Sequence, residues 1–216
     1  MKINTLALLP AVGFSATVLL FPFCLAAQNS SVTRSLSSFD KIGVSGGFDV
    51  VRLKHGDAES VTLDVSGIDP ENIETEVKDG TLKIRTKKGS YANYKAKITV
   101  TYRNLKAVAN SGSSDIEALS VIKAEAFELA TSGSGDFKGS FDVKDLDIAI
   151  SGSSDMTLSG NADSQDIAIS GSGDVDAAAL KGSTAEVAIS GSGDVRLGVT
   201  GRVKTAVSGS GKVTNN

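Results

Sequence analysis

The chain has 216 residues, with 22 basic and 25 acidic side chains, a net charge of −3, one histidine, one cysteine and no tryptophan. This length is enough to bury a core without disulfides, and the mildly acidic charge disfavours nucleic acid and anionic membranes as partners. One histidine and one cysteine disfavour a transition-metal site and a Cys- or His-based triad. We therefore expect no cofactor and no nucleic-acid partner, and we assign no catalytic or metal-ligand residue.

The amino-terminal segment, over positions 1–27, has the pattern of a secretory signal peptide. A basic start at Lys2 precedes an apolar run over Leu6–Phe23, and the small residues Ala26 and Ala27 follow. The alternative is an uncleaved membrane anchor, because the run approaches the length that spans a bilayer. Cleavage near Ala26 or Ala27 would remove Cys24 and leave no membrane span. This predicts an exported protein in the periplasm, on the outer-membrane surface or outside the cell.

The rest of the chain divides into a lead-in and one domain. Residues 28–38 are rich in Ser and Thr and are predicted to be a flexible lead-in. Residues 39–216 form the domain, with an irregular β section over 39–105 and a repeat section over 106–216. In the irregular section, apolar residues at alternate positions, such as Val61, Leu63 and Val65, are typical of strands. This section is expected to cap the first repeats or to supply irregular coils.

The repeat section is organised around a Ser-Gly-Ser-Gly/Ser-Asp motif. Its copies are Ser111–Asp115, Ser132–Asp136, Ser151–Asp155, Ser170–Asp174 and Ser190–Asp194, and a sixth, Ser208–Lys212, has Lys in place of Asp. The copies recur with a period of about 20 residues. Such a period is typical of stacked repeats in which neighbouring units complete the core. A propeller blade needs about twice this period. The sequence therefore predicts an all-β fold, a single right-handed parallel β-helix, or solenoid, with coils of about 20 residues.

The strand before each Ser-Gly turn alternates between an inner and an outer face. In one copy Leu146, Ile148 and Ile150 point inward, whereas Asp147 and Ala149 point outward. The outward Ala and Ser residues predict a flat surface of small side chains, and we take it as the candidate binding face: Ala130, Ser132, Ala149, Ser151, Ala168, Ser170, Ala188 and Ser190. It would accept a glycan, a protein surface or another copy of the chain. Alternatively, another segment of the chain packs there.

The acidic end of the motif also forms a column. Stacking would place five carboxylates near one another: Asp115, Asp136, Asp155, Asp174 and Asp194. Calcium would neutralise such a like-charge column, but calcium solenoids carry Gly-Gly-x-Gly-x-Asp at a much shorter period. We therefore favour Asp residues that cap the turn by accepting backbone hydrogen bonds.

A second row of acids lies before the turn. The outward residues Glu128, Asp147, Asp166 and Glu186 suggest polysaccharide cleavage as an alternative, because that reaction needs clustered carboxylates. The row is regular, whereas an active site is a local departure from regularity. Solvation of the surface is the favoured interpretation.

The motifs together resemble a known family. The repeated Ser-Gly-Ser-Gly-Asp-Val, preceded by Ile-Ala-Ile, and the opening segments Phe48-Asp49-Val50 and Gly80-Thr81-Leu82-Lys83-Ile84 resemble the head GIN domain family of adhesin heads. The resemblance covers 39–213 and implies an exported bacterial protein with a right-handed β-helix-like fold. It implies no catalytic residue.

The function expected from these observations is adhesin-like binding. We expect an exported, non-enzymatic cell-envelope or surface protein that contacts a glycan or a protein through its candidate binding face. The alternatives are a polysaccharide-active lyase or hydrolase and an envelope structural protein that associates with copies of itself.

Overall fold

The computed structural model describes residues 29–216, and these form one fifteen-stranded sheet that winds into a solenoid. The predicted signal peptide lies outside the described residues. One short 3₁₀ helix spans Pro70–Asn72. The strands are β1 (Asn29–Ser35), β2 (Lys41–Ser45), β3 (Val50–His55), β4 (Ser60–Ser66), β5 (Ile73–Lys78), β6 (Thr81–Thr86), β7 (Lys95–Tyr102), β8 (Ala107–Asn110), β9 (Ile116–Ala118), β10 (Ile122–Gly133), β11 (Phe137–Gly152), β12 (Met156–Gly171), β13 (Val175–Gly191), β14 (Val195–Gly209) and β15 (Val213–Asn215).

The repeat section stacks in parallel, as the motif spacing predicts. Strands β10 to β14 pair in sequence order, and Ile148 lies beside Ile167, which lies beside Val187. The solenoid has about 6 turns with coils of about 19 residues, so the predicted parallel β-helix is confirmed. Each long strand bends around the solenoid. Its first part follows one Ser-Gly turn and forms the post-turn face, and its last part precedes the next turn and forms the pre-turn face.

The interior is filled by the inward residues of both faces. Phe127, Phe137 and Phe141 are buried beside one another, with ring centroids 5.3 Å apart for Phe127 and Phe141 and 6.0 Å for Phe137 and Phe141. Each such buried side chain stabilises the fold by about 1.5–3 kcal/mol. Since the alternation repeats in every coil, the core is a continuous column along the axis.

The irregular section supplies coils of its own, but they are not stacked in chain order. Strand β2 lies between β6 and β8 and is parallel to both, and β3 lies between β7 and β9 in the same way. The chain therefore builds the coil of β2 and β3, moves outward to the coil of β6 and β7, and returns to stack β8 and β9 on the other side.

Antiparallel strands close the amino-terminal end of the solenoid. Strand β5 pairs with β6, β4 pairs with β7, and β1 pairs with β4 along its full length. The expectation of a flexible lead-in is corrected here, because residues 29–35 are an ordered strand. Their Ser and Thr side chains bond across the pair, as Ser31 Oγ does with Asp64 and Thr33 Oγ1 with Thr62 Oγ1.

An arginine from β1 crosses this end of the core. The Nη1 atom of Arg34 donates to the carbonyl oxygen of Ile73 at 2.7 Å and to Thr75 Oγ1 at 2.8 Å, and its Nη2 atom donates to Pro70 O at 2.8 Å. Backbone acceptors at the outer strand β5 are thereby satisfied. The amino-terminal end is closed by side-chain hydrogen bonds as well as by strands.

Candidate functional site

Each Ser-Gly turn is shaped by contact with the turn before it. Gly171 has a φ of +137°, and a Cβ at this position would overlap the carbonyl oxygen of Gly152 in the preceding coil. The N–H of Ser172 donates to that same carbonyl oxygen at 2.8 Å. Only glycine combines this backbone conformation with so close an approach. The glycine therefore fixes both the bend and the spacing of the coils.

The aspartate column forms a hydrogen-bonded ladder between coils, which we call the Asp ladder (Asp115, Asp136, Asp155, Asp174 and Asp194). In each step the Oδ1 atom of one aspartate accepts from the backbone N–H at the corresponding position of the next coil, at 2.7–3.1 Å. The capping interpretation is thus corrected in one respect, because the amide belongs to the neighbouring coil and not to the same turn.

The sixth motif takes part in the ladder only through its backbone. The N–H of Lys212 donates to Asp194 Oδ1 at 2.9 Å. A lysine side chain accepts no hydrogen bond, so the carboxylates of the ladder within residues 29–216 end at Asp194.

The ladder carboxylates are spread along the solenoid and do not converge. Among residues 29–216, no three histidine, cysteine, aspartate or glutamate side chains are arranged to hold a metal ion. Calcium binding by the ladder stays a hypothesis from the sequence.

The candidate binding face lies along a groove on the outside of the solenoid. Pairing in register places Ala130, Ala149, Ala168 and Ala188 in one column. The four Ser residues of the candidate face form the next column. All eight residues line one groove of about 820 Å³, which we call the Ala/Ser groove. The outward side chains on this face are no longer than Ser, so the groove is open along its length.

The groove extends by one coil at each end beyond the eight residues of the candidate binding face. Ala109 and Ser111 line one end, and Ala206 and Ser208 line the other. Strand β2 continues the two columns beyond Ala109 with Gly43 and Ser45, which pair with Lys83 and Arg85 of β6. The columns of small residues therefore end at two basic side chains.

An ion pair lies at the basic end of these columns, beyond the residues that line the groove. Arg85 Nε donates to Glu74 Oε2 at 2.8 Å, and this hydrogen bond lowers the pKa of Glu74. This end does not follow from the repeat motif, because β6 and β2 are not adjacent in the chain. The small residues of Ile42-Gly43-Val44-Ser45-Gly46 are the one signal that would have indicated it.

The acid row borders the groove along the coils. Glu128, Asp147, Asp166 and Glu186 are exposed and stand in register, one per coil. At the carboxyl-terminal end, Lys204 Nζ donates to Glu186 Oε2 at 3.3 Å. The row shows no local cluster of the kind that acid–base cleavage of a glycosidic bond requires.

A second groove lies at the corner next to the irregular section. It has a volume of about 720 Å³ and contains both signs of charge. Lys106 Nζ donates to Asp40 Oδ2 at 2.8 Å, and this hydrogen bond lowers the pKa of Asp40. Lys123 and Glu125 line the same groove. No sequence motif indicates this second groove, since its walls come from separate parts of the chain.

Comparisons with known proteins agree with this architecture. Residues 38–216 match the model of the family described as "Putative auto-transporter adhesin, head GIN domain". No curated protein sequence matches the chain. None of the helices within residues 29–216 is long and apolar enough to cross a membrane.

Solved structures of bacterial proteins share the fold. A putative adhesin from Bacteroides fragilis aligns with a TM-score of 0.76 and 17% identity over 88% of this chain and 98% of its own. A putative adhesin from Parabacteroides distasonis gives 0.66 and 19%, over 88% and 98%. A protein of that organism described as a putative lipid binding protein gives 0.64 and 20%, over 87% and 96%.

Proposed function

The chain belongs to the head GIN domain family, and on that premise we propose that it is an exported, non-enzymatic, adhesin-like binding protein whose Ala/Ser groove contacts the partner. The observation that carries the proposal is the groove itself. Residues of five successive coils, from Ala130 to Ala206, keep one outward surface free of large side chains. The described segments leave this surface uncovered, which weighs against the alternative that small residues are needed for internal packing.

The shape of the groove favours a partner that is extended along the solenoid axis. Neighbouring coils are about 4.8 Å apart, so the groove offers a methyl group and a hydroxyl group at a constant interval. Methyl groups of the Ala column supply apolar contact. Hydroxyl groups of the Ser column both donate and accept hydrogen bonds. A linear glycan or an extended protein segment would use both columns at once.

Binding is favoured over catalysis because the chemistry of the face is uniform. Catalytic acids work in pairs whose environments differ, whereas Glu128, Asp147, Asp166 and Glu186 repeat one environment from coil to coil. A repeated environment suits affinity that is distributed over many weak contacts.

A second candidate partner is an acyl chain. The outward methyl groups of the Ala column make the floor of the groove partly apolar, and one structural neighbour is described as a putative lipid binding protein. A single aliphatic chain would fill the Ala column and leave the Ser hydroxyls to water. This candidate differs from the first in needing no hydrogen-bonding ligand.

The test is a binding screen with a groove-blocking variant. The chain from Gln28 is applied to arrays of bacterial and host polysaccharides and extracellular-matrix proteins, and is titrated with the fluorescent fatty acid cis-parinaric acid. The double variant Ala149→Arg/Ala168→Arg places two long side chains on the exposed floor. The matched control, Thr157→Arg/Asn161→Arg, adds the same charges outside the groove, at exposed positions of strand β12, which also carries Ala168.

Saturable binding by the wild type that the groove variant loses and the control retains supports the proposal. A ligand bound equally by both variants contradicts it. Release of sugar products, abolished by Asp147→Asn or Asp166→Asn, would establish the enzyme alternative instead. Size that grows with concentration, without affinity for any array component, would establish the self-associating envelope protein.

A further inference from the structure

Within residues 29–216, part of β14 has an edge that no other strand covers, and we call it the free edge. Residues 202–209 of β14 pair with β13 on one side, and no strand of the described chain pairs with the other side. The inward side chains of this coil are exposed to solvent, since Val207 is 44% exposed whereas Ile189, one coil earlier, is 2% exposed. This edge offers backbone donors and acceptors together with apolar side chains, the two elements that strand addition uses.

The charges of this edge are inverted relative to the preceding coils. Four consecutive coils carry an acid at the position that Lys204 occupies, and five carry Asp at the position that Lys212 occupies. Arg202 adds a third exposed cation to the same edge. Lys204 is already paired with Glu186 on the side of the preceding coil. An incoming acid on the free side would place Lys204 between two carboxylates, which would attract it from both sides.

The opposite end of the solenoid has a different character. Its outer strand β5 carries Glu74 and Glu76, and Arg34 donates a hydrogen bond to the carbonyl oxygen of Ile73. Stacking of a second copy through this end would have to displace Arg34. Pairing of two carboxyl-terminal ends would bring the cations of both copies together, which like-charge repulsion opposes. The Arg34 contact therefore disfavours head-to-tail stacking and charge repulsion disfavours tail-to-tail pairing, so a second copy is not the favoured occupant of the free edge.

We propose that the free edge of β14 binds an extended acidic segment of a partner protein, which adds one strand to the pre-turn face. The partner strand would follow the charge pattern of the chain's own coils, with one carboxylate facing Lys204 and a second facing Lys212. Backbone hydrogen bonds to residues 202–209 would supply affinity, and the two lysines would select the acidic strand over a neutral or basic one. This site uses the backbone edge of β14, whereas the Ala/Ser groove uses outward side chains of several coils, and the two sites meet at Ala206 and Ser208.

The chain itself provides matched probes. A fluorescein-labelled peptide of residues 185–194 carries Glu and Asp at the two selected positions, whereas a peptide of residues 203–212 carries Lys at both. Fluorescence polarisation against the chain from Gln28 should show the acidic peptide binding at least about tenfold more tightly than the basic peptide. The double variant Lys204→Glu/Lys212→Glu should reverse this preference.

Two further measurements keep the outcomes distinct. Circular dichroism checks that the variant, whose substitutions lie on the exposed surface, retains its strands. The groove variant Ala149→Arg/Ala168→Arg should bind the acidic peptide as the wild type does, so that failure of the groove proposal leaves this one standing. Equal affinity for the two peptides, absence of binding, or a preference unchanged by the lysine substitutions would overturn the proposal. Dimerisation through this end in sedimentation velocity, lost in the lysine variant, would also overturn it.

Discussion

The Oδ1 atom of Asp155 accepts a hydrogen bond from the backbone N–H of Asp174, 3.1 Å away and one coil further along the solenoid. Asp155 in turn donates its own N–H to Asp136 Oδ1 at 3.0 Å. Every aspartate of the ladder after Asp115 therefore links three coils, because its N–H donates to one neighbour and its carboxylate accepts from the other. The ladder adds a regular side-chain contribution to the backbone pairing that holds the coils together.

Removing one rung of the ladder should destabilise the repeat section modestly. Asp155→Ala leaves the N–H of Asp174 without its acceptor, and we expect a loss of about 1 kcal/mol in the free energy of unfolding. Asp155→Asn keeps an acceptor oxygen and should lose less. Urea denaturation monitored by circular dichroism measures both variants. Equal stability of wild type and Asp155→Ala would show that water replaces the carboxylate without cost.

The glycine of the turn should be intolerant of any side chain. Gly171→Ala introduces a Cβ against the carbonyl oxygen of Gly152 in a left-handed backbone conformation, and we expect a loss of more than about 2 kcal/mol. Gly43→Ala is the matched control, since Gly43 continues the Ala column and its Cβ would lie 4.0 Å from the nearest atom, Leu82 O. The control should be neutral or stabilising. Thermal melts that rank the two variants in the opposite order would contradict the steric account.

The arginine at the amino-terminal end should matter more than an ordinary surface cation. Arg34→Ala removes the hydrogen bonds to Ile73, Thr75 and Pro70, and we expect a loss of about 2–3 kcal/mol. Arg34→Lys retains the charge but not the forked geometry and should restore only part of the loss. Hydrogen exchange of the β5 amides locates the effect. Unchanged exchange in β5 would show that Arg34 does not hold this strand.

One interior hydroxyl is a candidate for removal. Thr131 Oγ1 is buried without a hydrogen-bond partner among the described residues, in a column where the next coil has Ile150. Thr131→Val replaces the hydroxyl with a methyl group of similar size and should raise the free energy of unfolding by up to about 1 kcal/mol. The matched change Thr157→Val at an exposed position should have little effect. Destabilisation by Thr131→Val would indicate a buried water bonded to the hydroxyl.

Acidification should weaken the contact between Asp40 and Lys106. The pKa of Asp40 is lowered by the hydrogen bond from Lys106 in the folded state, so the pair stabilises the fold above the unfolded-state pKa. This stabilisation is lost as the pH falls through the lower folded-state pKa. The difference in stability between neutral pH and about pH 3 should therefore be smaller for Asp40→Asn than for the wild type. An identical difference would show that the pair contributes nothing.

The repeat section could be predicted from the sequence because its spatial neighbours occupy equivalent positions in successive motif copies. Ala149 pairs with Ala168, the same residue of the next copy, so aligning the motifs also aligns the neighbours in space. The inward and outward faces, the Ala/Ser columns and the position of the turn all follow from that alignment. The identity of the amide that each aspartate caps does not, because an amide of the same turn satisfies the same sequence pattern.

The irregular section could not be predicted in the same way. Ile42 lies beside Leu82 and Val108, which are distant from it in the chain, and no repeated motif marks these partners. The basic end of the small-residue columns depends on such long-range pairing. The Arg34 contacts and the order of β2, β6 and β8 depend on it as well. A Ser/Thr-rich composition likewise does not reveal that residues 29–35 pair with strand β4.

Surface plasmon resonance with the array component that the wild type binds tests whether the Ala/Ser groove is the binding surface. The groove variant Ala149→Arg/Ala168→Arg and the control Thr157→Arg/Asn161→Arg are compared on the same surface. We expect the groove variant to lose at least about tenfold in affinity and the control to bind like the wild type. Equal affinity of the groove variant and the wild type would contradict the claim that the Ala/Ser groove is the binding surface.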